Sequence, residues 1–408
     1  MRTVSVMVLT LFVAHIRMFA QTRPTDAEEF YNSHRWFELR NVAFEHNTDV
    51  FFRAAAEAAF HQDRRAEEDL RQYIASHPAP DQKVRALEVL VGMEFRAAQY
   101  EDALLHARQI LSLKPDAQDI ANFLPTLDAL APFVRQTVIS RRPSSVRFEL
   151  FDQNLVLPLT IGKVSANYIL DNGFSLSGMT ESEAKRLKLT VKTVSTHIDT
   201  MSGASVGVRI AVVPELAIGG LHLGNVAFYI LPDEQPPFNQ LPSGHRGILG
   251  LQVVLALEHF AWQPGSSTFT IYRNRSASSH ANLAFDGSSI LARLSFHGTP
   301  IDMSLDLGAV NTILYPSFAR QFPNLEKEGL VGRQRVTGVG GSALIESFTL
   351  PSADFELGGK TVTLKPATVL LEDNNSTTGW FRGNLGMNLL NEASSADVDF
   401  RSMRLTLK

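Results

Sequence analysis

The stretch Asn167–Ser175 reads NYILDNGFS and the stretch Asp302–Val310 reads DMSLDLGAV, so one short pattern occurs twice in this chain of 408 residues. In each copy an apolar run leads to an aspartate, Asp171 or Asp306, with a glycine two positions later. Glycine tolerates backbone angles that other residues avoid, and the pattern therefore predicts a side chain displayed where a strand ends in a tight turn. Two such carboxyl groups facing each other across a pseudo-twofold axis would form an acid–base dyad.

The duplication extends well beyond the two aspartates. Residues 247–250 read GILG and correspond to residues 383–386, which read GNLG, at the same spacing of about 135 residues. Residues 202–203 correspond to residues 337–338 at that spacing as well. Several matches in the same order at a nearly constant spacing predict an internal repeat of about 130 residues.

Each copy of this repeat resembles a lobe of the retropepsin-type aspartic proteases found in many bacterial secreted proteins. The order of strand pair, Asp-x-Gly, short helix, glycine hairpin, Gly-x-Leu-Gly and closing strand is similar in both copies. The resemblance implies two tandem, mainly β, acid-protease-like lobes at residues 145–275 and 280–408. It also implies a flap or glycine hairpins at Gly203, Gly338, Gly340 and Gly341. Because both lobes lie in one chain, the dyad would form within a monomer without a cofactor.

The resemblance assigns catalysis to Asp171 and Asp306. Two carboxyl groups about 3 Å apart share one proton, because both cannot ionise comfortably at that distance. The ionised group would take a proton from a bridging water that attacks the peptide carbonyl, while the protonated group polarises that carbonyl. The residues implied to support the two loops are Asn172, Gly173, Ser175, Leu307 and Gly308.

The chain departs from the family pattern directly after each aspartate. The family has Thr or Ser there, and its hydroxyl hydrogen-bonds across to the opposite lobe. Asn172 can still donate and accept, whereas the side chain of Leu307 can do neither. Phe174 also replaces a small residue.

Two interpretations of function follow from these departures. The chain is either an aspartic endopeptidase that cleaves extended polypeptides, or a catalytically impaired relative that acts as a peptide-binding or scaffold protein. Other residues that rebuild the lock between the loops would favour the enzyme. A Phe174 ring that fills the position of the catalytic water would favour the second interpretation.

The N-terminal third has a different composition. Residues 1–20 resemble a secretory signal peptide, which predicts export to the periplasm or the extracellular space. The alternative is an uncleaved segment that anchors the protein to the membrane. From residue 25 to residue 141 the chain is rich in Ala, Glu and Arg with helical periodicity, and residues 140–145 are interpreted as a linker.

The helical region also repeats. Ala66–Pro78 aligns with Ala103–Pro115, and both segments end in proline. This is similar to tetratricopeptide-like helical hairpins, in which small alanines allow close helix contact. A generic helical bundle is the alternative. Either would serve docking, the binding of a protein partner, or shielding of the cleft.

Composition excludes several other functions. The chain has no cysteine, which excludes disulfides and thiol catalysis. Its histidines are scattered, with no His-Glu-x-x-His motif, so we expect no metal site. A net charge of −4 without basic runs argues against nucleic-acid binding.

Overall fold

The computed structural model describes residues 26–45, 48–199, 205–273, 280–338, 341–372 and 379–408. The expected signal peptide, together with Gly203 and Gly340, lies outside these ranges. The described chain combines a helical region with a mainly β region, as the sequence predicted. None of the helices in the described ranges has the length and apolar character needed to cross a membrane.

The helical region consists of α1 (Asp26–Asn32), α2 (Trp36–Val42), α3 (Val50–Ala59), α4 (Asp63–Ser76), α5 (Pro80–Arg96), α6 (Tyr100–Leu113) and α7 (Gln118–Leu130). The repeated alanines, Ala66 on α4 and Ala103 on α6, are both fully buried. Each of these helices follows a tight connection with one left-handed residue, His61 at φ 58° and Ala98 at φ 55°. The helices α3 and α4 therefore form one hairpin and α5 and α6 an equivalent one, in agreement with the predicted helical hairpin repeats.

The first lobe is built around a large sheet. Its strands are β1 (Thr137–Arg141), β3 (Glu149–Phe151), β4 (Asn154–Ile161), β5 (Val164–Leu170), β6 (Ser177–Thr180), β7 (Val191–Asp199), β8 (Ser205–Ile218), β9 (Leu221–Leu231) and β10 (Gly247–Leu249). Their order is β1-β9-β6-β10-β5-β4-β8-β7, with β3 beside β4. A further pairing of β8 with β9 closes six of these strands into a barrel. The helices α8 (Glu181–Arg186) and α9 (Leu251–Leu257) complete the lobe.

The second lobe repeats this plan. Its strands are β13 (Leu283–Asp286), β14 (Ser289–Phe296), β15 (Thr299–Leu305), β16 (Ile313–Leu314), β17 (Leu330–Gly338), β18 (Gly341–Leu350), β19 (Ala353–Leu357), β20 (Lys360–Leu364), β21 (Ala367–Leu370) and β22 (Gly383–Leu385), with helices α10 (Pro316–Gln321) and α11 (Met387–Leu390). In the first lobe β10 runs parallel to β5 and antiparallel to β6. In the second lobe β22 runs parallel to β15 and antiparallel to β16. The shared topology agrees with the internal repeat deduced from the sequence.

A third sheet joins the two lobes. It contains β2 (Ser144–Arg147), β12 (Thr268–Ile271), β11 (His259–Gln263), β23 (Ala396–Asp399) and β24 (Arg404–Leu407), in that order. The hairpin β11–β12 follows the first lobe and the hairpin β23–β24 ends the second, and β11 pairs with β23 across the lobe boundary. The two lobes are therefore joined by backbone hydrogen bonds between strands as well as by the covalent chain.

The boundary between the helical region and the first lobe differs from the expected one. The last helix ends at Leu130, whereas the sequence placed helical structure up to residue 141. Residues Thr137–Arg141 form a strand that pairs with β9, and Ser144–Arg147 form a strand that pairs with β12. The segment expected to be a linker thus contributes to two sheets. Its short strands are too polar to show an apolar alternation, and their pairing partners lie far away in sequence.

Candidate active site

Asp171 and Asp306 occupy equivalent positions at the ends of β5 and β15. The N–H of Asp171 donates to the carbonyl of Leu249, and the N–H of Asp306 donates to the carbonyl of Leu385, both at 3.0 Å. Each acceptor belongs to a Gly-x-Leu-Gly segment, so the second repeated motif fixes the first.

The turn after each aspartate is held by a further matching hydrogen bond. The N–H of Leu251 donates to the carbonyl of Phe174 in the first lobe, and the N–H of Met387 donates to that of Ala309 in the second, both at 2.8 Å. These bonds show that the two loops are held in the same way.

The glycines show that the two aspartates meet across the lobe boundary. A Cβ atom on Gly308 would lie 2.0 Å from the carboxyl carbon of Asp171, and a Cβ on Gly173 would lie 2.9 Å from a carboxyl oxygen of Asp306. Each glycine therefore faces the carboxyl group of the opposite lobe. Any side chain at Gly308 would overlap Asp171, which explains why the motif contains glycine at this point.

The two carboxyl groups influence each other electrostatically. Burial and the adjacent charge of Asp306 raise the pKa of Asp171 to about 8, although the N–H groups of Gly173 and Phe174 partly oppose this shift. The side chains of Asp171 and Asp306 are within hydrogen-bonding contact. The pair therefore has the geometry for a shared proton near neutral pH.

Asp306 accepts a hydrogen bond from a side chain in addition to those from the backbone. Its Oδ1 accepts hydrogen bonds from the N–H groups of Gly308 at 2.9 Å and Ala309 at 3.1 Å, and its Oδ2 accepts one from Nδ2 of Asn384 at 3.0 Å. Hydrogen bonds to a carboxylate favour its ionised form. The residue of the first lobe that corresponds to Asn384 is Ile248, whose side chain has no hydrogen-bond donor.

Asn172 joins the two loops by side-chain hydrogen bonds. Its Nδ2 donates to the carbonyl of Leu305 at 2.6 Å, and its Oδ1 accepts from the N–H of Leu307 at 2.8 Å. The amide thus makes both a donated and an accepted bond to the opposite lobe, the two roles that a hydroxyl could also fill. Asn172 is buried, so these bonds are shielded from water.

The position of Leu307 is supported differently. Its side chain is buried in the apolar core, while its carbonyl accepts a hydrogen bond from Nδ2 of Asn154 at 3.0 Å. Asn154 is a buried residue of β4 in the first lobe, and its bond therefore joins the lobes in addition to the two made by Asn172. Asn154 and Asn384 are not among the site residues predicted from the sequence. Both are buried asparagines next to apolar buried residues of a strand, which is the signal that could have found them.

Phe174 and Ser175 turn toward the interior of the first lobe. The ring of Phe174 lies edge-on to Tyr229, with ring centroids 5.9 Å apart, and occupies the space beside Gly178. Ser175 hydrogen-bonds to the hydroxyl of Tyr229. The described contacts of Phe174 are thus lobe packing, the arrangement expected of the enzyme interpretation.

The predicted glycine hairpin of the second lobe lies where β17 joins β18. Gly338 and Gly341 form the last pair of this ladder. In the first lobe β7 and β8 form the equivalent hairpin. Within the described ranges, no group of three or more His, Asp or Glu side chains is placed to hold a metal ion.

Comparisons with known proteins relate part of the chain to the aspartyl proteases. Residues 157–253, which include Asp171, match a family model described as aspartyl protease. A crystal structure of a retropepsin-like aspartic protease from Rickettsia conorii is similar over 34% of this chain and 95% of that chain, with 11% identity and a TM-score of 0.25. No curated protein matches significantly. The family match shows that residues 157–253 of the first lobe are similar to the aspartyl proteases, as the sequence predicted.

The lock formed by Asn172 can be tested with a matched pair of variants. Asn172→Thr keeps a group that donates and accepts, whereas Asn172→Val has the same shape as threonine without the hydroxyl. We expect Val to be less stable than Thr by about 2–4 kcal/mol, because it leaves the buried carbonyl of Leu305 and the N–H of Leu307 without their partner. Urea unfolding of the two proteins measures this difference. Equal stability would show that Asn172 does not hold the lobes together.

The raised pKa of Asp171 makes a prediction about stability and pH. The folded protein keeps the proton on Asp171 up to about pH 8, whereas the unfolded chain loses it near the ordinary value of 3.8. The folded state therefore binds more protons between these values, and its stability falls as pH rises from about 4 to 8.

Asp171→Asn removes this titration while keeping the shape of the side chain. We expect the melting temperature of the variant to exceed that of the parent at pH 7, by roughly 3–6 °C, and the difference to vanish near pH 4. Thermal melts of both proteins at pH 4, 5.5 and 7 measure it. A difference that does not change with pH contradicts the raised pKa.

Proposed function

We propose that this protein is an exported aspartic endopeptidase that hydrolyses peptide bonds in extended polypeptides. The observation that carries the proposal is the meeting of Asp171 and Asp306 across the lobe boundary, with Asn172 bonded to the opposite loop. The packing of Phe174 against Tyr229 and Gly178 also supports it, because these contacts lie within the first lobe. Export rests on the resemblance of residues 1–20 to a signal peptide.

The two carboxyl groups take different roles in the proposed reaction. Asp306 is the general base, because three donors hold its carboxyl oxygens in place, one of them the amide of Asn384. Asp171 is the general acid, because its raised pKa keeps it protonated near neutral pH. Asp306 takes a proton from the attacking water while Asp171 hydrogen-bonds to the peptide carbonyl. Collapse of the tetrahedral intermediate then transfers a proton to the leaving nitrogen.

The substrate would bind as an extended strand. The hairpins β7–β8 and β17–β18 provide backbone groups that can pair with a peptide laid across the carboxyl pair. Both lobes are present in one chain, so a monomer suffices for this site.

A second candidate is a peptide-binding protein with impaired chemistry. Leu307 favours it, because this residue cannot supply the side-chain bond that the family uses at the lobe boundary. A misplacement of about 1 Å can cost about a hundredfold in rate.

Cleavage of a diverse peptide library separates the two candidates. Purified residues 21–408 are incubated with the library from pH 3 to pH 9, beside Asp306→Asn as the matched control. We expect the parent to cleave and the variant to lose at least about a thousandfold in kcat/KM, with activity declining as pH rises through about 8, where Asp171 loses its proton. A folded parent that binds peptides without cleaving them would support the binding protein.

The role of Asn384 is tested by its replacement with the residue of the other lobe. Asn384→Ile removes the donor to Oδ2 of Asp306, while the backbone donors of Gly308 and Ala309 remain. We expect kcat to fall about tenfold with KM nearly unchanged, because a misplaced base slows the chemical step without weakening peptide binding. A folded variant whose loss appears in KM instead of kcat would contradict this role.

A further inference from the structure

The helical region contacts the first lobe directly behind the loop of Asp171. The hydroxyl of Tyr100 donates to Oε1 of Gln252 at 2.6 Å, and Nε2 of Gln252 donates to the carbonyl of Phe95 at 2.7 Å. Tyr100, Gln252 and Phe95 are all buried. Gln252 follows Leu251, whose N–H holds the turn after Asp171.

A second contact reaches the same loop through Tyr229. The buried hydroxyl of Tyr229 hydrogen-bonds both to Ser175, four positions after Asp171, and to the buried Thr126 of α7. The helix α7 also packs against β7, a strand of the first-lobe hairpin, and Nζ of Lys192 on that strand lies 4.2 Å from the centre of the Phe133 ring.

The same helical region also contacts the second lobe. The buried guanidinium of Arg96 on α5 donates to the carbonyl of Gly287 at 2.5 Å and lies over the ring of Phe285 at 4.3 Å. Gly287 and Phe285 belong to the β13–β14 hairpin of the second lobe.

Two polar contacts closer to the N-terminus reinforce this attachment. Nδ1 of His34 lies 2.9 Å from Oδ1 of Asp286, and the ring of His34 stacks on that of Trp380. A guanidinium nitrogen of Arg293 donates to Glu38 at 2.9 Å. The helical region thus contacts both lobes.

The two loops at the lobe boundary make unequal side-chain hydrogen bonds, so the boundary gains from support by the helical region. Asn172 bonds to the opposite loop through its side chain, whereas Leu307, at the equivalent position, cannot. We propose that the helical region is a clamp that holds both lobes at the spacing the carboxyl pair requires, in place of the side-chain bond that Leu307 does not make. The inference rests on the proposed function for its effect on rate, and its effect on lobe spacing is independent of catalysis.

The spacing is measured first, because it does not depend on activity. The chain has no cysteine, so Lys163→Cys in the first lobe and Lys360→Cys in the second, both exposed, give a unique pair of spin labels. We expect a narrow distance distribution by electron–electron double resonance in the parent. Arg96→Met, which removes the guanidinium contacts to the second lobe, should broaden or shift that distribution.

Arg96 is fully buried, and its variant can fail to fold. The double variant His34→Ala/Glu38→Ala removes only partly exposed contacts to the second lobe and serves as the second test. Arg108→Gln is the matched control, since Arg108 pairs with Asp128 inside the helical region and is exposed. The control should leave both the distance distribution and kcat unchanged.

The link to Leu307 is tested by a double-mutant cycle. Leu307→Thr introduces the hydroxyl that the equivalent position lacks. We expect the clamp variants to lower kcat about tenfold in the parent and less than about threefold in the Leu307→Thr background. Equal losses in both backgrounds, or an unchanged distance distribution in folded clamp variants, would overturn the proposal. If the parent shows no cleavage, the proposed function fails while the distance measurement still decides the clamp.

Discussion

The structure depends on one requirement, that two carboxyl groups from separate lobes lie side by side at a buried boundary. Like charges at that distance repel and burial disfavours both, so the arrangement is stable only where a proton is shared and the surrounding backbone is fixed. Because Gly173 and Gly308 have no side chain, the two loops can approach closely enough for the carboxyl groups to meet. The paired strands β11 and β23 also join the two lobes. The repeated Asp-x-Gly and Gly-x-Leu-Gly segments hold the two loops in this arrangement.

The duplication is structural, while the chemistry is asymmetric. The backbone bonds that hold the two aspartates are equal in length in both lobes. The side chains differ, because Asn172 faces Leu307 and Asn384 replaces the apolar Ile248 of the first copy. A symmetric site would leave the shared proton without a preferred position. Here the additional donor to Asp306 makes the two carboxyl groups unequal, and the proposed assignment of an acid and a base rests on this difference.

The sequence predicted what depends on local pattern. Asp-x-Gly and Gly-x-Leu-Gly located both loops, and the alignment of Ala66 with Ala103 located two helical hairpins whose alanines are buried. It did not predict the strand Thr137–Arg141 or the bond from Asn154 to Leu307, because each depends on a partner far away in sequence. An asparagine in an apolar strand shows that a bond is needed, but its acceptor is known only when the lobes are assembled.

The helical region belongs to the same argument. A detachable docking module would present its apolar surface to a partner, yet here the buried residues of α5, α6 and α7 continue into a core shared with the first lobe. Those of α1 to α4 continue into the core that spans both lobes. Separating the helices would expose this surface and leave Gln252 and Arg96 without their buried partners. The two lobes are therefore stabilised by a third element that contacts each of them, and the spacing of the carboxyl pair is a property of the whole chain.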